Sequence, residues 1–60
     1  MMSIRVELPE DQAWAFAEFL KRAGYGDYRT LATSEQQAYE MLNASEKVRA
    51  AFAEKGIAPR

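Results

Sequence analysis

The chain has 60 residues, eight Lys/Arg against nine Asp/Glu, a net charge of −1, and neither His nor Cys. A chain this short makes one domain at most and buries only about 60% of its unfolded surface, so it needs a staple to be stable. The missing Cys and His remove disulfides, the usual zinc sites and every His-based nucleophile, leaving self-association as the available staple and making an enzyme unexpected.

The first predicted element is a strand over Ser3–Leu8. Ile4, Val6 and Leu8 alternate there with Ser3, Arg5 and Glu7, the period-two pattern of a half-buried strand. No second strand follows in the chain. An isolated strand invites pairing with another chain, so the pattern predicts antiparallel pairing of two copies. Ile4, Val6 and Leu8, with Trp14 from the following helix, are the expected dimer interface.

A helix is expected from about Pro9 to Ala23. Pro9 suits the first helical position. Glu10 and Asp11 in the first turn and Lys21 and Arg22 in the last complement the helix dipole. Gly24 is expected to close the helix in a left-handed conformation, with Tyr25 meeting Leu20. Ala13, Phe16, Ala17, Leu20 and Ala23 form one apolar stripe, which Trp14 and Phe19 widen. A turn over residues 24–27 leads to a short helical piece, Tyr28–Ala32, that Asp27 could cap.

The last predicted helix starts at Thr33 or Ser34, where Thr33 with Gln36 or Ser34 with Gln37 has capping-box spacing. It runs to about Lys55. Ala38, Met41, Leu42, Ser45, Val48, Ala51 and Phe52 define its apolar face. Gly56 is the expected left-handed residue beyond its end, with Phe52 and Ile57 as the apolar pair across the cap. The fold class that follows is mainly α with one short N-terminal strand, ordered β-α-α, in a homodimer.

Function classes narrow by the same route. There is no phosphate-binding glycine loop, and no apolar run approaches the ~20 residues of a membrane span. The N-terminus lacks a basic stretch followed by an apolar one, so a cytoplasmic protein with no membrane role is expected. No cofactor and no metal are expected. The slightly acidic balance disfavours nucleic acid as a partner. Tyr25 and Tyr28 lie at a turn rather than on a helix face. With Arg29 beside them and Glu18 on the acidic face of the first helix, they are the candidate surface for a protein partner.

The segment Ile4 to Gln12 (IRVELPEDQ) resembles the opening of ribbon-helix-helix proteins. That resemblance implies a dimer joined through its strand, with DNA read by the outward residues Ser3, Arg5 and Glu7. A wider resemblance is carried by DQAWA at Asp11 to Ala15, Lys21-Arg22, DYR at Asp27 to Arg29, Ala38-Tyr39, EKVR at Glu46 to Arg49 and the ending APR at Ala58 to Arg60. In these the chain is similar to a family of short proteobacterial proteins of unknown function associated with mobile elements. That resemblance implies a regulator or inhibitor of a host system, including host defence such as CRISPR, acting through protein contacts. The expected function is therefore a small non-enzymatic protein that binds a macromolecular partner, with a ribbon-helix-helix DNA-binding regulator or antitoxin as the alternative.

Overall fold

The computed structural model describes residues 1–60 and contains three helices: α1 (Glu10–Arg22), α2 (Tyr25–Leu31) and α3 (Glu35–Glu54). α3 is the spine. α1 and α2 each pack on it and not on one another. The molecule measures 33 × 28 × 16 Å, and the short dimension is that of a thin, two-layer plate.

The expected β-α-α architecture is corrected to all-α, because the strand over Ser3–Leu8 does not form. Residues 1–8 make no backbone hydrogen bond. A strand is held by a ladder, and this chain has no second extended segment to supply one. The alternation is real, but Ile4 and Val6 stay 79% and 66% exposed.

α1 begins one residue later than expected. Pro9 is the N-cap, and its carbonyl accepts the Ala13 N–H at 3.0 Å. The expected closure by a left-handed Gly24 is also corrected. Gly24 is extended (φ −115°) and serves as the N-cap of α2. Its N–H donates to Asp27 Oδ2 at 2.9 Å, and its carbonyl accepts from Asp27 and Tyr28 at 3.0 and 3.3 Å. One residue cannot be both the left-handed end of one helix and the extended start of the next. The Asp27 carboxylate decides for the second role, capping from inside the helix rather than ahead of it. The short helical piece therefore starts at Tyr25, three residues before its expected start.

α3 follows the sequence closely. Ser34 Oγ accepts the Gln37 N–H at 3.1 Å, and Gln37 Oε1 reaches back to accept the Thr33 N–H at 2.7 Å. At the other end Gly56 is left-handed (φ +83°). The Ile57 N–H donates to the Phe52 carbonyl at 2.9 Å and the Gly56 N–H to that of Ala53 at 3.0 Å, the two bonds of a Schellman closure. Nothing lies within 4 Å of a Cβ built on Gly56 or on Gly26, so backbone preference alone sets the effect of adding one. Gly56→Ala is expected to cost about 1 kcal/mol, because alanine resists a positive φ. Gly26→Ala, inside α2, is expected to stabilise by about 0.5 kcal/mol. Urea denaturation followed by circular dichroism reads both signs.

The core is small and built mainly of small side chains. Only six residues are buried: Ala13, Ala17 and Leu20 on α1, Tyr28 on α2, and Ala38 and Ser45 on α3. Alanines let helix backbones approach closely but bring little apolar area with them. Ser45 is tolerated because its Oγ donates to the Leu42 carbonyl at 3.0 Å. The predicted stripes of α1 and α3 point inward at their centres. Their edges do not, and Phe16, Phe19 and Val48 remain exposed.

Candidate interaction surface

The α2–α3 ridge gathers two of the four residues expected to meet a partner. Tyr25 and Arg29 are four apart on α2 and share a face. Tyr25 lies tilted against Tyr39 of α3, ring centroids 4.8 Å apart, within the range of a favourable aromatic pair. Arg29 is exposed and Tyr39 is half-exposed. Glu35, at the start of α3, adds a negative charge beside Tyr25. Tyr28 faces the other way and is buried, with a hydroxyl that has no hydrogen-bond partner. Glu18 is on α1, which does not pack on α2, and accepts from Arg22 Nε at 2.8 Å. Tyr39 and Glu35 were missed from the sequence. Tyr39 stands beside the buried Ala38, which places it at the edge of the packed face, and that adjacency was the available signal.

Partial burial raises the Tyr25 phenol above its ordinary range; Glu35 and Tyr39 add to the shift and Arg29 opposes it. The folded chain therefore holds this proton more tightly than the unfolded chain does. The resulting stability is fully present below the ordinary tyrosine value of about 10 and is lost as pH rises through the raised folded-state value. Wild type and Tyr25→Phe are expected to change stability in parallel below that pH. Above it wild type should fall faster, as read by urea midpoints across an alkaline pH series.

The other expected sets lie on the N-terminal arm. Ser3, Arg5 and Glu7 are exposed. Arg5 Nη2 and Glu7 Oε1 are 3.9 Å apart with both side chains almost fully in solvent, a pair worth little. Ile4, Val6 and Leu8 are exposed beside them. Trp14 is 40% exposed on α1. At 100° per residue it lies on the opposite flank of that helix from Phe16, Phe19 and Ala23.

That opposite flank is the main apolar feature of the surface. Phe16 and Phe19 stack with centroids 6.0 Å apart, and Phe16 meets Phe52 edge-on at 6.1 Å. Phe19 continues into an open cleft of about 540 Å³ between the end of α1 and α2. Ala23, Tyr28 and Leu31 also line it, with Arg22 and Asp27 as its charged walls. A smaller hollow of about 320 Å³ lies where Ile57, Ala58 and Pro59 fold back near Ala17 and α3. No helix is long and apolar enough to cross a membrane.

A family model matches residues 1–60, the whole chain, and its description is a family of unknown function, DUF7706. Comparison with curated proteins and with solved structures gives no match.

Proposed function

We propose that this chain, which belongs to that family of unknown function, is a small non-enzymatic protein that works by binding a protein partner. The observation that carries the reading is the Tyr25–Tyr39 pair on the α2–α3 ridge, flanked by Arg29 and Glu35. Tyrosine and arginine dominate interface hot spots, because they combine large apolar area with directed hydrogen bonds. Here they stand together on α2 and on the α3 spine against which α2 packs, so a partner would meet both helices at once. A cytoplasmic regulator or inhibitor of a host defence system, carried by a mobile element, is the narrower form of this proposal and rests on family resemblance rather than on a placed residue.

The DNA alternative needed a two-stranded ribbon beneath Ser3, Arg5 and Glu7, and this chain forms no strand there. The test is affinity capture from extracts of the native host, followed by titration with the purified captured protein. Tyr39→Ala and Arg29→Glu are each expected to weaken binding about tenfold or more. Arg5→Ala should leave it unchanged. Binding that ignores both ridge substitutions, or that follows duplex DNA and Arg5, overturns the reading.

A further inference from the structure

The chain exposes more surface than a folded monomer of its size should. Its accessible area is 5095 Å², against about 3,950 Å² from the size scaling of monomeric proteins at 6.8 kDa. The N-terminal arm shows this most. Every residue from 1 to 8 is exposed, and Met1, Met2 and Ile4 are the most exposed large apolar side chains of the molecule, at 128%, 85% and 79%. The arm makes no backbone hydrogen bond, so its main-chain donors and acceptors are free for another chain. Its apolar residues are in phase. On an extended chain Met2, Ile4, Val6 and Leu8 fall on one side and Ser3, Arg5 and Glu7 on the other. Arg5 Nη2 and Glu7 Oε1 approach to 3.9 Å, which fits two odd-numbered side chains sharing a side. Pro9 ends the run, because it has no N–H to donate and is already the N-cap of α1.

We propose that the arm is a docking segment that adds to the exposed edge of a β-sheet in a different protein, with Met2, Ile4, Val6 and Leu8 seated in an apolar groove beside that edge. In such an addition main-chain bonds supply affinity, and pockets for alternate side chains supply specificity. The makeup of the chain selects the occupant. A second copy brings three helices and no sheet, so its own arm is the only edge it has to offer. Two arms alone would make a ribbon of two short strands, which is marginal unless a third strand or a helix backs it. No helix backs it here, because Ile4 and Val6 stand clear of the helices at 79% and 66% exposure. The sheet must therefore come from the partner. The other side of the arm carries one charge of each sign, paired with each other, and adds no electrostatic bias. Recognition falls to the apolar side and the main chain. This surface is separate from the α2–α3 ridge, and the inference goes beyond that reading without resting on it.

The test uses the full-length chain, tagged at its C-terminus. Wild type, Val6→Lys, Arg5→Ala and Tyr39→Ala are each used to capture proteins from extracts of the native host. A protein that Val6→Lys loses and the other two variants keep is purified and titrated. Val6→Lys is expected to raise its dissociation constant at least about thirtyfold, and Arg5→Ala less than about threefold. Val6 lies on an arm without backbone hydrogen bonds, so Val6→Lys should keep the helical circular dichroism of wild type, which separates lost docking from lost folding. Amide hydrogen exchange in the complex then reads the geometry. Alternate amides within residues 2–8 should be protected, because an edge strand turns every second N–H toward its neighbour. Three results overturn the proposal: no captured protein depends on Val6 in this way, the protection is absent or runs through consecutive amides, or sedimentation equilibrium shows the chain alone forming a dimer that Val6→Lys dissociates. Each of them leaves the ridge reading intact.

Discussion

Ala38→Leu is expected to lower stability by about 1–3 kcal/mol, the cost of forcing extra methylenes into a packed site. Ala38 is 0% exposed, the most deeply buried residue of the chain. It lies in the first turns of α3, next to the three-residue connection from α2, where the spine must admit a neighbouring helix closely. Leucine is the better core residue by hydrophobicity and the worse one here by volume. A core of this size rarely supplies more than about 3–5 kcal/mol, so the loss approaches the whole. In urea, with a slope of about 1 kcal/mol/M for a small domain, the midpoint should fall by about 1–3 M. Ala44→Leu, on an exposed part of the same helix, should stay within about 0.5 kcal/mol of wild type. Equal effects at the two positions would mean that Ala38 is not a packing constraint.

Leu20→Ala is expected to cost about 2–3 kcal/mol, the lower part of the range for removing a buried leucine. Leu20 is 5% exposed, and the other buried residues of α1 are alanines. Without it the buried face of α1 would present three alanines to the spine. The value sits low in the range because the core is thin, and a shallow site collapses or fills with water more readily than a deep one. Phe19→Ala, one residue along, makes the contrast. Phe19 is more than half exposed, so its loss should matter less. Urea midpoints should fall clearly further for Leu20→Ala than for Phe19→Ala.

Much of the local structure was legible because local chemistry decides it. Ser34 with Gln37 starts α3, and Phe52, Gly56 and Ile57 end it, each within a few residues of chain. The charges at the ends of α1 mark that helix for the same reason. The failures have two causes. Ile4, Val6 and Leu8 carry a strand pattern, but a strand also requires a neighbour, and no local pattern supplies one. Gly24 sits between two helices that compete for it. Only the position of Asp27 three residues ahead settles the competition, and that carboxylate was read as a cap in its own right rather than as the partner of Gly24. Of the candidate surface, Tyr25 and Arg29 were named from the sequence as lying at a turn, whereas they stand on one face of helix α2. Tyr39 was not, because its meeting with Tyr25 depends on how α2 folds back along α3.

The separate attachment of α1 and α2 to a common spine has a consequence for how the molecule breathes. Two elements that do not touch each other have no direct reason to open together. α2 has seven residues and contributes one buried side chain, Tyr28; α1 has thirteen residues and contributes three. Local opening of the two helices should therefore be independent rather than concerted. The Tyr28 hydroxyl, which has no partner in the closed state, gains water when α2 detaches, and its hydration lowers the cost of opening. The ridge that Tyr25 and Arg29 form with Tyr39 therefore exists only while α2 is docked on α3.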